Sequence, residues 1–122
     1  MIVIDASAVL EILSGSPIGL QMETAIVHLG LHAPELLDLE VANTVRRWET
    51  AGILRPNEGE SLLAVFLAMR ITRYPHLPLL NDVWRMRHNL TAYDAAYLAL
   101  ARHLDAELLT MDEGLKKRSK RR

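Results

Sequence analysis

The segment from Asn89 to His103 constrains the fold of this chain most, because almost every face of the helix that it predicts is apolar. Its core side chains recur at the three- and four-residue steps of an α-helix: Tyr93, Ala96, Tyr97, Leu100, Ala101 and Leu104. Alanine and leucine occupy most of the other positions, so little of the circumference can face water. Other elements of the fold are therefore expected to cover this helix on most of its sides.

Short apolar segments elsewhere in the chain predict buried strands at residues 2–4, 31–33, 71–74 and 107–110. The remaining segments predict helices at residues 6–13, 18–29, 36–51, 61–69, 79–86, 89–103 and 112–115. Strands that alternate with helices are typical of a parallel sheet that is covered on both faces. The chain is therefore predicted to be an α/β domain with about four strands and about seven helices.

A chain of 122 residues is long enough for one domain with a real core. It contains no cysteine, which excludes a disulfide framework and a thiolate metal site. No apolar run approaches the roughly 20 residues that span a bilayer, and the first residues lack the basic start of a signal peptide. We therefore expect a cytoplasmic protein without a membrane segment.

The net charge of −1 hides an uneven distribution along the chain. Residues 116–122 hold six of the 14 basic residues and none of the 15 acids, so residues 1–115 are strongly acidic. An acidic body is not a general nucleic-acid-binding surface, although a basic tail could contact phosphates. A terminal run of this kind is more often solvated and frayed, and this is what we expect for residues 116–122.

Acids stand directly after two of the predicted strands, and a helix follows each of them. Asp5 ends the first strand, and Asp112 follows the last one. Because the carboxyl ends of parallel strands meet at one edge of a sheet, both side chains are expected where α/β sheets bind ligands. Each acid alone also has an ordinary interpretation as the N-cap of the following helix.

Two further acids are predicted to approach the same edge from helices. Asp94 lies in the first turn of the apolar helix, where Thr91 and Asp94 also form a capping-box pattern. In the helix at 36–51, Glu40 and Asp38 lie at opposite borders of the apolar stripe, and helical geometry alone does not choose between them. For either one, a solvated acid at the border of a helix is the ordinary interpretation.

Carboxylates that converge raise one another's pKa unless positive charge lies between them. A hard divalent cation would supply that charge, because Mg²⁺ and Mn²⁺ prefer oxygen ligands and keep several waters. Zinc is disfavoured, since the five histidines do not have the spacing of metal ligands and cysteine is absent. The acids therefore predict a magnesium or manganese site.

Four segments carry a family pattern in chain order: Ile4-Asp5-Ala6-Ser7-Ala8, Leu39-Glu40-Val41-Ala42-Asn43, Arg87 to Ala101 with its Tyr-Asp-Ala-Ala-Tyr sequence, and Leu109-Thr110-Met111-Asp112. In these segments the chain resembles PIN-domain ribonucleases and, among them, VapC-type toxins of toxin–antitoxin pairs. Each segment is short, but the ordered set spans nearly the whole chain. The resemblance implies a PIN-like, three-layer α/β/α domain over residues 1–115, followed by the basic tail at 116–122.

The resemblance also selects Glu40 over Asp38. The catalytic residues and metal ligands that it implies are Asp5, Glu40, Asp94 and Asp112. Ser7 and Thr110 match polar positions beside these acids in the family. Many relatives carry a further acid shortly after the fourth one, whereas here Glu113 is followed by glycine, so a second metal position is expected to be weak.

The activity that the resemblance implies is metal-dependent hydrolysis of RNA phosphodiester bonds by an endoribonuclease with Mg²⁺ or Mn²⁺, the toxin of a type II toxin–antitoxin pair. It also implies a small antitoxin that places a basic side chain over the acidic pocket, and a homodimer or toxin–antitoxin hetero-oligomer. The main alternative is a PIN fold that no longer cleaves and only binds RNA or a protein partner. The presence of all four acids argues against that alternative.

Overall fold

The computed structural model describes residues 1–120, which contain a four-stranded parallel sheet in the order β3-β2-β1-β4. The strands are β1 (Ile2–Ile4), β2 (Leu31–Pro34), β3 (Ile71–Tyr74) and β4 (Glu107–Leu109). Strand β1 is central, and its last residue, Ile4, lies opposite Leu109 of β4. The first and last strands of the chain therefore end side by side at one edge of the sheet.

Seven α-helices accompany the sheet within residues 1–120. They are α1 (Ala6–Ser14), α2 (Pro17–Ile26), α3 (Leu36–Thr50), α4 (Glu58–Ala68), α5 (Leu80–Arg85), α6 (Ala92–His103) and α7 (Glu113–Ser119), with one turn of 3₁₀-helix at Leu77–Leu79. Helices α1–α4 pack on one another, α6 packs on α5 and α7, and both groups contact the sheet. These three layers confirm the predicted α/β architecture.

Helix α6 is as deeply enclosed as its sequence predicts, since every residue from Ala95 to Ala101 is buried. It contacts three of the four strands as well as α5 and α7. Tyr93 was expected in its core stripe, but 64% of this residue is exposed. The reason is that the first turn of α6, from Ala92 onward, lies outside the packed layers and leaves Asp94 only partly buried.

The start of α6 and the end of α7 both differ from the sequence prediction. Helix α6 begins at Ala92 instead of Asn89, since the Thr91 side chain accepts a hydrogen bond from the Asp94 backbone N–H and so caps the helix. Helix α7 continues past Leu115 to Ser119, and its basic last turn suits the negative end of the helix dipole. The first residues of the basic tail are thus helical, while Arg121 and Arg122 lie outside the described residues.

Among residues 1–120, no helix combines the length and the apolar character that crossing a bilayer requires.

Candidate active site

Asp5 is the most enclosed of the four candidate acids, with 6% of its surface exposed. It follows β1 in extended conformation and caps α1, because its Oδ1 accepts the backbone N–H of Ala8 at 3.0 Å. Ser7 Oγ donates to the same oxygen at 2.6 Å, and Thr110 Oγ1 donates to Oδ2. Three neutral donors therefore fix the carboxylate and leave its negative charge without a cationic partner.

The two polar side chains beside Asp5 tie the β1–α1 turn to the turn that follows β4. Ser7 Oγ accepts the backbone N–H of Met111 at 2.9 Å, and Thr110 Oγ1 accepts that of Asp112 at 3.0 Å. These bonds form because Asp5 N–H donates to the Leu109 carbonyl at 3.1 Å, which extends the pairing of β1 with β4. The ladder thus brings residues about a hundred positions apart into one site.

Asp112 occupies the same local position after β4 that Asp5 occupies after β1. Its Oδ1 accepts the backbone N–H of Leu115 at 2.9 Å and so caps α7. In contrast to Asp5, its side chain is exposed. The ordinary N-cap interpretation is therefore correct for both acids, and it leaves them at one edge of the sheet as predicted.

Glu40 reaches the site from the second turn of α3. Its Oε1 accepts a hydrogen bond of 2.6 Å from the hydroxyl of Tyr97 in α6. Burial raises the pKa of Glu40; the Tyr97 hydrogen bond partly opposes this, and the negative charges of Asp5 and Asp94 raise it further. The Tyr97 hydroxyl is itself buried beside a carboxylate, and its pKa lies well above the ordinary value of 10.

Asp94 completes the set from the first turn of α6. Its pKa is raised by burial first, and then by the negative charges of Asp112 and Asp5. Asp94 thus lies close to Asp5 and Asp112, and Glu40 lies close to Asp5 and Asp94. None of the ion pairs within residues 1–120 involves any of these four acids, so no lysine or arginine of that range forms a salt bridge with them.

The structure separates the two acids of α3 that periodicity could not distinguish. Asp38 points toward β3, where Arg73 Nη2 binds its Oδ1 at 3.0 Å and Arg73 Nε binds the same oxygen at 3.1 Å. Arg73 also lies over the ring of Phe66. Asp38 is thus satisfied by a structural ion pair, and Glu40 is the acid of α3 that lies near Asp5 and Asp94.

Tyr97 is the residue that sequence reasoning missed, because it was assigned only to the core stripe of α6. Only 2% of its surface is exposed, yet its hydroxyl is placed on Glu40. The available signal was chemical: a buried tyrosine needs a hydrogen-bond partner, whereas phenylalanine at that position would not.

The donor atoms of this site suit a hard divalent cation. All are oxygens, three neutral donors fix the orientation of the Asp5 carboxyl group, and neighbouring negative charges raise the pKa of Glu40 and Asp94. The described residues nevertheless contain no group of three histidines or acids that could hold one ion together. The arrangement therefore fits an ion such as Mg²⁺, which is commonly bound by one or two carboxylates and keeps several waters.

The chain is similar to known proteins over nearly its full length. The sequence profile of the PIN domain matches residues 2–121. Ribonuclease VapC9 of Mycobacterium tuberculosis strain H37Rv is 39% identical over 112 residues, which cover 92% of this chain and 86% of that protein. Ribonuclease VapC1 of the same strain is also 39% identical, with coverage of 93% of this chain and 86% of that protein.

A solved structure reproduces the fold at low sequence identity. The crystal structure of Mycobacterium tuberculosis VapC20, a toxin that cleaves the sarcin-ricin loop, superposes with a TM-score of 0.72. The match covers 97% of this chain and 95% of that chain at 13% sequence identity. At this identity the likeness concerns the arrangement of helices and strands alone.

Proposed function

Because the chain belongs to the PIN-domain family and, within it, to the VapC ribonucleases, we propose that it is an endoribonuclease that hydrolyses RNA phosphodiester bonds. Its role is that of the toxin in a type II toxin–antitoxin pair. The observation that carries this proposal is the group of four acids at one edge of the sheet, where neighbouring negative charges raise the pKa of Glu40 and Asp94 and none of the described ion pairs includes an acid of the group. An acidic pocket of this kind is costly unless it serves a bound ion.

The proposed cofactor is Mg²⁺ or Mn²⁺. Asp5 and Asp94 are the first candidates for direct ligands, while Glu40 and Asp112 bind the ion directly or through water. When bound, the ion supplies positive charge next to the phosphodiester and its departing oxygen.

The remaining chemistry belongs to the side chains of the chain itself. Ser7 and Thr110 hold the Asp5 carboxylate in one orientation, and Tyr97 does the same for Glu40. Because burial and neighbouring charges raise its pKa, Glu40 is a stronger base than an exposed glutamate. We therefore assign Glu40, with Asp112 as the second candidate, to accept the proton of the attacking water.

The proposed protein partner is a small antitoxin that covers the acidic pocket with a basic side chain. None of the described ion pairs neutralises these carboxylates within the chain itself. An arginine of the antitoxin could therefore pair with the same carboxylates that are proposed to bind the ion. Self-association into a homodimer or a toxin–antitoxin hetero-oligomer is proposed as well. Apolar side chains exposed on α3 and α4, such as Leu39 and Leu67 at 76% each, are consistent with an interface. A monomeric mass by light scattering, alone and in complex, would contradict it.

The deciding experiment is cleavage of structured cellular RNAs, including tRNA, by the purified protein. Cleavage is expected with Mg²⁺ or Mn²⁺ and should disappear in EDTA and in Asp5→Asn. Asp38→Asn is the matched control: it removes an acid from α3 that pairs with Arg73 outside the site, so it should retain activity. Activity that survives Asp5→Asn would identify a contaminant or a different site. A folded protein that binds these RNAs without cutting them would instead support the binding-only alternative.

A further inference from the structure

Three helices contribute one arginine each to a cavity of about 220 Å³ on the surface formed by α5, α6 and α7. Arg85 comes from α5, Arg102 from α6 and Arg118 from α7. The remaining lining residues are Met86, Asn89, Leu90 and Leu98. The lining contains no acid, although residues 1–115 of the chain carry all 15 of them.

Arg85 and Arg118 are the arginines of this cavity whose positive charge an anion can reach. Arg85 pairs with Asp82 at 2.7 Å, but the two side chains are 75% and 44% exposed, and such a pair is weak and readily exchanged for another anion. Arg102 donates to the sulfur of Met86 at 3.6 Å, and this contact helps to hold its guanidinium beside the cavity. Arg118 lies in the last turn of α7, partly buried.

The cavity has a defined position relative to the acids. Helix α6 carries Asp94 in its first turn and Arg102 eight residues later, which is about 12 Å along the axis. Helix α7 is capped by Asp112 and carries Arg118 six residues later, about 9 Å along its axis. Because α6 packs against α7, both helices lead from the acidic edge to the arginines.

We propose that this cavity binds a backbone phosphate of the RNA strand, a few nucleotides away from the bond that is cleaved. The inference rests on the proposed ribonuclease function and adds a second contact point for the same substrate. The acidic pocket repels phosphates, so affinity for RNA must come from positive charge elsewhere on the surface. Guanidinium groups that converge from three helices are suited to phosphate oxygens, and 220 Å³ accommodates a phosphate with several waters.

The test compares RNA binding by two double variants. Arg85→Gln with Arg118→Gln removes two charges from the cavity and spares Arg102. The matched control, Arg55→Gln with Arg70→Gln, removes two exposed charges elsewhere: Arg55 follows α3, and Arg70 precedes β3 at the opposite edge of the sheet from the acids. Thermal melting verifies that both variants fold. Binding of labelled single-stranded RNA is measured in EDTA over a series of salt concentrations.

Each phosphate contact contributes about 0.7 to the slope of log affinity against log salt for single strands, so the cavity variant should lose up to about 1.4 of slope. Its affinity at low salt should fall several-fold, equally for RNAs of different sequence, while the control keeps the slope of the wild type. Equal slopes in the two variants, or a wild type that does not bind RNA, would overturn the proposal.

Cleavage with Mg²⁺ is scored separately so that the two proposals can fail independently. A wild type that cuts RNA while both variants bind alike would refute the phosphate subsite and leave the nuclease intact. A wild type that cuts no RNA, while the cavity variant alone loses slope, would refute the nuclease and support the phosphate site.

Discussion

Replacing Tyr97 by phenylalanine tests the contact that holds Glu40 in the site. The change removes only the hydroxyl that donates to Glu40 Oε1 at 2.6 Å and keeps the buried ring in place. A hydrogen bond to a charged group contributes about 1.5–3 kcal/mol. Because Glu40 is partly exposed and water replaces some of the lost bond, we expect the free energy of unfolding to fall by about 1–2 kcal/mol. For a domain of this size that corresponds to a melting temperature about 4–8 °C lower.

The pH dependence of this loss follows from the pKa of Glu40, which burial raises above 4.5. An acid with a raised pKa costs stability when ionised: the cost is absent below its unfolded pKa and complete above its folded one. The Tyr97 hydroxyl reduces that cost by donating to the ionised carboxylate. Tyr97→Phe should therefore destabilise the protein more at neutral pH than below pH 4.5.

The assay is urea unfolding followed by circular dichroism at both pH values. The control is Tyr93→Phe, which deletes the same hydroxyl from the same helix at a residue that is 64% exposed, and which should change stability by less than about 0.5 kcal/mol. A double-mutant cycle with Glu40→Gln isolates the pairwise energy. Equal losses for the two tyrosine variants, or a loss at Tyr97 that does not depend on pH, would refute the reasoning.

Three further predictions concern the acids and their supports. Asp94→Asn should raise the free energy of unfolding at neutral pH, because the ionised Asp94 with its raised pKa costs stability there. The gain should vanish below pH 3.8, and urea unfolding that shows no gain at neutral pH would contradict the repulsion. Thr110→Val should lower the free energy of unfolding by about 1–3 kcal/mol, because it leaves the buried Asp5 oxygen and the Asp112 N–H without their partner. Thr110→Ser keeps the hydroxyl and should retain most of the stability, so equal denaturation curves for the two variants would count against this role. Mg²⁺ at a hundred times its dissociation constant should stabilise the wild type by about 2.7 kcal/mol in a thermal melt and leave the Asp5→Asn variant nearly unaffected. Equal stabilisation of the wild type and the variant would mean that the ion binds elsewhere.

The sequence predicted those parts of the fold that depend on local apolar pattern and missed those that depend on packing partners. Strand β1 was predicted with its observed bounds, Ile2–Ile4, because a short apolar run that ends at a polar residue is a local signal. Helix α5 was predicted at residues 79–86 and spans Leu80–Arg85, but its apolar side chains Leu80 and Trp84 are 50% and 66% exposed. A helix of six residues is too short for periodicity to define its buried face, and Arg87 stacks on the ring of Trp84 at the surface.

In the candidate site too, some acids are positioned by a local rule and others by residues that are distant in the chain. The positions of Asp5 and Asp112 follow from the rule that parallel strands end at one edge, and the structure places both there. The choice between Glu40 and Asp38 depends on residues far away in the chain, Tyr97 and Arg73, which no helical pattern in α3 can reveal. Family resemblance selected the same acid because it carries that distant information in the motif.

The hydrogen bonds from Ser7 and Thr110 to Asp5 have a consequence for the timing of folding. The first acid of the site leaves the ribosome at the start of synthesis, but one of its donors lies 105 residues later, just after the last strand of the sheet. Closing so long a loop is a late and slow step of folding, because the chain entropy is lost before the contact is gained. A nascent chain, or a fragment that ends before β4, therefore cannot assemble the pocket. The order of synthesis therefore delays assembly of the proposed ribonuclease site until the chain is almost complete.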